Sequence, residues 1–244
     1  PVRVLVQLLD RNGVVAARIE SAAIADAAGT REVNQTLHVG NARLWQGTRD
    51  PYLYTLRVEL RASSGQRLDA IEQPFGIREM RLDPEKGFLL NGRPYRLLGV
   101  GYHQDREGKG WAVDDADVAE DLALIRDMGA NAIRLTHYQH GQAVHDLADR
   151  MGLVLWDEIP VVTAWTQGGA SQPSPGLLAN ARQQLQELIL QNHNHASVVA
   201  WGIANEVDFG ATRPDIFGRN PTGALPDPRP LLATLHELAR ALDS

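Results

Sequence analysis

Hydrophobic positions follow two patterns along the chain, and the pattern changes near residue 76. In residues 1–76, short apolar stretches alternate with polar residues and are separated by turn residues, as in "VRVLVQLLD", "VVAARIE" and "YLYTLRVELRA". Alternation with frequent turns is typical of an antiparallel sandwich. An immunoglobulin-like fold usually needs about 100 residues. Residues 1–76 are therefore predicted to form an immunoglobulin-like β-sandwich that lacks one or two N-terminal strands.

Residues 77–244 begin with a hairpin pattern and continue with alternating strand and helix patterns. In "FLLNGRPYRL", Asn91-Gly92 favours a two-residue type I′ turn. Four near-continuous apolar strands follow, at 96–102, 131–138, 153–159 and from 198 onwards. Helices with one apolar face separate them, carrying Val118, Leu122, Ile125 and Met128; Val144, Leu147, Ala148 and Met151; Leu178, Ala181, Leu185, Leu188 and Ile189; and Leu231, Leu235, Leu238 and Leu242. The pattern predicts a parallel sheet of four βα units, either a small open domain or half of an eight-unit barrel.

Each of these four strands ends in polar side chains, which are His103, Arg134 and His137, Asp157 and Glu158, and Asn205 and Glu206. The carboxyl ends of parallel strands form the active face of barrels and open sheets. Adjacent residues on a strand point to opposite faces, so one of Asp157 and Glu158 is expected to be structural. By the same reasoning, Asn205 and Glu206 reach one pocket together only if the strand ends or bulges between them. The cluster His193-Asn194-His195 precedes a strand and is interpreted as loop packing.

Composition and charge exclude several classes of function. The net charge is −6, and the arginines are scattered, which argues against a nucleic-acid partner. No apolar run approaches the roughly 18 residues of a membrane span, and the absence of cysteine excludes disulfides and thiolate-bound metals. No phosphate-binding glycine motif or zinc-binding histidine motif occurs, so neither a metal nor a cofactor is predicted. The chain begins at Pro1 inside a strand pattern, which suggests a piece of a longer protein and leaves the compartment open.

Four stretches together resemble the family 2 glycoside hydrolases, the relatives of β-galactosidase and β-glucuronidase. They are "LLGVGYHQDREGKGWAV", "NAIRLTHYQHG", "GLVLWDEIP" and "NHNHASVVAWGIANE", and they match in order and spacing over residues 77–210. "LWQGTRDPYLYTLRVEL" and "FGIRE" are similar to the sandwich domain that precedes the barrel in that family. The resemblance implies that residues 77–244 are the first four βα units of a (β/α)₈ TIM barrel.

The resemblance also implies a retaining β-glycosidase that acts on a β-linked oligosaccharide or glycoside. It assigns Glu206 as the general acid/base, Asn205 to the 2-hydroxyl of the sugar, and Arg134 to the nucleophile carboxylate. His103 and His137 are expected to line the sugar pocket. The family's nucleophile lies on strand seven, which places it beyond residue 244, and Asp208 and Asp215 follow strand four too closely to replace it. "IPVVTAW" follows Glu158 where magnesium-dependent members carry metal ligands, which again predicts no metal.

Several functions remain open from the sequence. A β-galactosidase type is the family's commonest case, but a β-glucuronidase or β-mannosidase would share the fold. A sandwich and half-barrel module could also bind carbohydrate or a protein partner without catalysis. The chain by itself is predicted to be inactive for lack of the nucleophile. It is also predicted to form a homo-oligomer or aggregate, because half a barrel leaves strand edges exposed.

Overall fold

The structure, a computed structural model, describes residues 1–25, 29–163, 165, 173–207 and 227–243. It divides into two compact units, Pro1–Tyr95 and Arg96–Ser244. Residues after 76 join the first unit through specific hydrogen bonds. Trp45 N donates to Ile77 O at 2.8 Å, and Asn91 Nδ2 donates to Trp45 O at 2.9 Å. The compact units thus divide later than the change of sequence pattern, and the domain bounds 1–76 and 77–244 stay a prediction.

The first unit is built on a four-stranded antiparallel sheet in the order β2-β1-β3-β4. Its strands are β1 (Val2–Leu9), β2 (Val15–Glu20), β3 (Tyr54–Ala62) and β4 (Arg67–Phe75). The alternating pattern predicted β1, β2 and β3. Leu5 and Leu8 are almost fully buried, and each such side chain stabilises the fold by about 1.5–3 kcal/mol. Glu59 on the polar side of β3 is also buried and pairs with Arg61 at 2.6 Å, so both faces of this strand are partly covered.

A three-stranded antiparallel sheet completes the first unit. It contains β5 (Met80–Asp83), β6 (Gly87–Leu90) and β7 (Arg93–Pro94) in the order β5-β6-β7. Asn91 and Gly92 join β6 to β7 with φ angles of 51° and 72°. Both angles lie in the left-handed region that a type I′ turn requires, which confirms the predicted hairpin. A 3₁₀ turn, Gly47–Arg49, precedes β3.

The second unit consists of four βα units. Its strands are β8 (Gly99–Tyr102), β9 (Ala132–Leu135), β10 (Val154–Glu158) and β11 (Val198–Gly202), and they are parallel neighbours in chain order. Its helices are α1 (Asp115–Asp127), α2 (Gln142–Met151), α3 (Pro175–Asn192) and α4 (Arg229–Leu242). The predicted fold class, sandwich strands followed by the first half of a TIM barrel, is confirmed. None of the described helices has the length and apolar character needed to cross a membrane.

The helices begin and end at residues that satisfy their backbone groups. Asp114 caps α1 by accepting from the backbone of Ala116 and Asp117, and Gly152 ends α2 in the left-handed conformation. Their apolar faces cover one side of the parallel sheet, with Leu122, Val144, Ala148 and Leu185 almost fully buried. Met128 departs from the prediction because it is 69% exposed. Met128 is the C-cap of α1, and its side chain faces solvent instead of continuing the buried stripe.

Candidate active site

The polar residues predicted to form a site lie along the carboxyl ends of the parallel strands. His103 follows β8, Arg134 is the third residue of β9, and His137 comes two residues after that strand ends. Asn205 and Glu206 follow β11. Because the four strands are parallel and adjacent, their carboxyl ends form one edge of the sheet. The strand topology therefore brings these polar residues to the same edge of the sheet, where the sequence pattern predicted them.

Glu158, the last residue of β10, lies at the centre of a hydrogen-bonded network. Its Oε2 accepts a hydrogen bond from Arg134 Nε at 2.8 Å and lies 2.7 Å from Arg134 Nη2 in an ion pair. Its Oε1 lies 2.5 Å from His137 Nδ1. The Glu158 side chain has no exposed surface, and a buried carboxylate is tolerated only when it is paired in this way.

Arg134 joins this carboxylate to the fourth strand. Its Nη2 also donates to Asn205 Oδ1 at 2.8 Å, so one guanidinium connects residues from β9, β10 and the segment after β11. The guanidinium carbon lies 5.0 Å from the ring centroid of Trp156, which adds a cation–π contact. The planar, permanently charged group suits this task because it presents several donors in a fixed geometry. Arg134 thereby orients the amide of Asn205.

Glycine at position 202 is required by the close approach of neighbouring side chains. A Cβ atom on Gly202 would lie 2.7 Å from Trp156 Nε1 and 2.8 Å from Glu158 Cγ. Trp156 and Glu158 project from the same face of β10, next to Gly202 on β11. The small residue at the end of β11 thus makes room for the Glu158 side chain.

Asn205 and Glu206 differ sharply in backbone conformation. This difference explains how two adjacent residues can both belong to one site. Asn205 forms a parallel bridge to Val162, with Asn205 N donating to Val161 O at 2.8 Å. Glu206 has a φ angle of 51°, in the left-handed region that non-glycine residues rarely adopt. The extended chain therefore ends between the two residues. Glu206 is exposed, so the described residues do not supply the apolar surroundings expected for its carboxyl group.

Asp157 points to the opposite face of β10 from Glu158 and is buried among the helices. Its Oδ2 accepts from Asn192 Nδ2 at 3.0 Å, and His145 Nε2 lies 2.9 Å from the same oxygen. All three side chains are at most 1% exposed. The expectation that one of the two adjacent carboxylates is structural agrees with this geometry. Asp157 connects β10 to α2 and α3.

The sequence prediction did not place Glu158 among the site residues. Alternation separates Asp157 from Glu158 but does not say which of them faces the helices. The pairing of neighbouring strands could have identified Glu158. Arg134 pairs with Trp156, and Glu158 is two residues further along β10, so Arg134 and Glu158 lie on the same face of the sheet. A partly buried Arg on one strand is stabilised by a carboxylate on the next, and Glu158 supplies it.

The cluster His193-Asn194-His195 lies before β11, away from the carboxyl ends of the strands. His195 Nδ1 contacts Asp149 Oδ2 at 2.7 Å, and His193 Nδ1 contacts Ile189 O at 3.0 Å. Burial opposes the charge of His195, but the hydrogen bond to Asp149 and the surrounding carboxylates outweigh it, so the pKa of His195 is raised. These contacts agree with the interpretation of the cluster as packing.

The described residues contain no group of three or more His, Asp or Glu side chains placed to hold a metal ion. Glu158 is already paired on both oxygens, and His103 faces the ring of His137 at a centroid distance of 5.4 Å. Asp208 and Asp215 lie outside the described residues.

Comparison with known proteins gives sequence relatives for most of the chain and solved structures that cover 99% of it. A Bacteroides fragilis β-glucuronidase is 42% identical over 174 residues, which covers 70% of this chain and 25% of that protein. A crystal structure of a Bacteroides fragilis protein, named provisionally as a β-galactosidase, is 32% identical with a TM-score of 0.82, covering 99% of this chain and 32% of that one. The Parabacteroides merdae β-glucuronidase is 28% identical with a TM-score of 0.81, covering 99% and 29%. The chain thus spans about a quarter to a third of the length of these proteins.

Two family models match successive parts of the sequence. Residues 1–78 match the model described as glycosyl hydrolases family 2. Residues 82–220 match the TIM barrel domain of the same family. Together they cover most of the chain. The chain belongs to glycoside hydrolase family 2.

Proposed function

We propose that the protein hydrolyses terminal β-glycosidic bonds with retention of configuration, with Glu206 as general acid/base. The observation that carries the proposal is the end of the fourth strand. There, Asn205 is oriented by Arg134 at 2.8 Å, and the next residue, Glu206, leaves the sheet in a left-handed conformation with its side chain exposed. Backbone strain of this kind concentrates at functional sites.

The residues take separate roles in this mechanism. Glu206 protonates the leaving oxygen and then activates water, as a retaining mechanism requires. The Asn205 amide, fixed by Arg134, binds the hydroxyl next to the anomeric carbon. His103 and His137 line the sugar pocket, and the contact of His137 with Glu158 sets its orientation. The substrate is a β-linked oligosaccharide or glycoside, and no metal or cofactor takes part.

A retaining mechanism also needs a nucleophile carboxylate about 5–5.5 Å from the acid. Glu158 does not suit that role, because both of its oxygens are engaged by Arg134 and His137 and it has no exposed surface. It serves instead to hold the Arg134 guanidinium. We therefore propose that the nucleophile comes from sequence outside residues 1–244, and that this chain alone does not turn over a glycoside.

The sugar is proposed to be a β-glucuronide. Several relatives are named β-glucuronidases, among them the Bacteroides fragilis protein at 42% identity. A β-galactoside is the second candidate, favoured by the name given to the structural neighbour with a TM-score of 0.82. β-Mannosidase activity and a non-catalytic binding module are the remaining alternatives.

The test is a panel of nitrophenyl and methyl β-glycosides assayed with the whole protein that carries this sequence. The wild type should cleave the glucuronides fastest. Glu206→Gln should lower kcat on the methyl glycoside by about 10³-fold, within the usual range for general acid catalysis. The loss on the nitrophenyl glycoside should be much smaller, because that leaving group needs little protonation.

Glu237→Gln, an exposed position on α4, is the matched control and should leave both rates unchanged. Equal losses on both substrates would contradict the role of Glu206 as acid. Binding of glycosides without any cleavage would favour the non-catalytic module instead.

A further inference from the structure

A row of rings leads away from the carboxylate network along the edge of the barrel. His137, which contacts Glu158, lies edge-on to His103 at a centroid distance of 5.4 Å. His103 lies 6.2 Å from Tyr138, and Tyr138 lies 4.6 Å from Trp111. The row therefore starts at the proposed sugar pocket and ends at a tryptophan that none of the site roles above uses.

Trp111 presents its indole to solvent while its other side is supported. The side chain is 66% exposed, an unusually high value for a large aromatic residue. Tyr138 is held between Trp111 and the buried His140, which stacks on it at 4.9 Å with the two planes only 9° apart. The Tyr138 hydroxyl accepts a hydrogen bond from Gln104 N at 3.1 Å. Tyr138 is therefore held both by this hydrogen bond and by the stacking of its ring on His140.

The loop that carries Trp111 is anchored to the start of α1. Arg106 and Gly110 pair through two backbone hydrogen bonds of 3.0 and 2.8 Å. The Arg106 guanidinium lies 3.1 Å from Asp117, and Lys109 Nζ lies 2.6 Å from the same carboxylate, which is largely buried. Two cations on one largely buried carboxylate anchor the loop, and the ring of Tyr138 supports the indole without any ligand. Preorganisation of this kind reduces the entropy lost on binding.

We propose that Trp111, supported by Tyr138, is the stacking platform for a ring of the leaving group of the substrate. This rests on the proposed function, in which the terminal sugar occupies the pocket at His137 and Asn205. A second ring, bonded to that sugar, extends along the row and meets the indole face. The ligand is an aryl group or the apolar face of a second pyranose, because both offer a flat surface that an exposed indole can cover.

The experiment compares three substrates of the same terminal sugar in the whole protein. They are a phenyl β-glycoside, a disaccharide with a pyranose leaving group, and a methyl β-glycoside. Trp111→Ala should lower kcat/KM about five- to tenfold for the phenyl glycoside, the disaccharide or both, whichever leaving group the platform accepts, and less than twofold for the methyl glycoside. Trp111→Phe should fall between wild type and Trp111→Ala. Met128→Ala, which removes another exposed side chain of the same unit, should change none of the three.

Saturation-transfer NMR with the phenyl glycoside separates failure of the platform from failure of the proposed function. Transfer to the phenyl protons that Trp111→Ala abolishes would support the platform even if no glycoside were cleaved. Cleavage with an unchanged ratio of phenyl to methyl rates in Trp111→Ala would overturn the platform and leave the hydrolase standing. An equal loss on all three substrates, or a lower melting temperature of Trp111→Phe, would assign Trp111 a structural role and overturn the proposal.

Discussion

Replacing Gly202 by alanine places a methyl group in space that two site residues already occupy. The added Cβ would lie 2.7 Å from Trp156 Nε1, 2.8 Å from Glu158 Cγ and 3.0 Å from Glu158 Cβ. Real Cβ atoms do not approach this closely, so the side chains of β10 must move. Glu158 cannot move far, because Arg134 and His137 hold both of its oxygens.

Overpacking of this kind typically costs about 1–3 kcal/mol. For a unit of this size, about 2 kcal/mol corresponds to a fall in melting temperature of roughly 4–8 °C. Displacement of Glu158 should also loosen Arg134 and Asn205. A shift of about 1 Å in a positioning group can lower activity by about 10²-fold, so kcat/KM should fall further than the loss of stability explains.

Gly101→Ala is the matched control, because it adds the same methyl group to a strand of the same sheet. Its Cβ would lie 3.6 Å from Thr136 Cγ2, which is ordinary van der Waals contact. Thermal melts, followed by circular dichroism, and kcat/KM are both measured in the whole protein that carries this sequence. If Gly202→Ala and Gly101→Ala had the same melting temperature and the same kcat/KM, the close packing described for Gly202 would be wrong.

Three further outcomes are expected. Asp157→Asn should lower the free energy of unfolding, measured in urea, by about 2–3 kcal/mol, because it weakens the buried contacts with His145 and Asn192. The control Asp146→Asn, at a more exposed position, should change it by less than about 0.5 kcal/mol. Equal effects of the two substitutions would count against the buried network. The raised pKa of His195 means that its pair with Asp149 stabilises fully below the unfolded pKa of about 6.5 and loses that contribution as pH rises through the folded pKa. The stability difference between wild type and His195→Gln should therefore shrink as the pH rises above about 6.5 and through the raised folded pKa, and a difference that grew would contradict the assignment. Treatment with a chelator should leave kcat/KM of the whole protein unchanged, whereas loss of activity restored by magnesium would show a metal site outside the described residues.

Much of the fold was predictable because its signals are local. Asn91-Gly92 tolerates the positive φ angles of its turn, and the sequence alone predicted the hairpin there. The apolar stripe of α1 and the glycine that ends α2 likewise follow from periodicity and capping within single helices. Met128 marks the limit of this reasoning, since periodicity placed it on the apolar face of α1 and the structure leaves it exposed. Family 2 membership was likewise predicted, from the order and spacing of four motifs.

The site was predictable in its location but not in its connections. Strand order places His103, Arg134, His137, Asn205 and Glu206 along one edge once the sheet is known to be parallel. Which of Asp157 and Glu158 faces the helices depends on how α2 and α3 pack, because alternation only assigns them to opposite faces. Only the tertiary structure showed that Gly202 makes room for Glu158 and that Glu206 turns out of the sheet. These features arise from contacts between strands distant in sequence, and a pattern read along one strand carries no information about its neighbours.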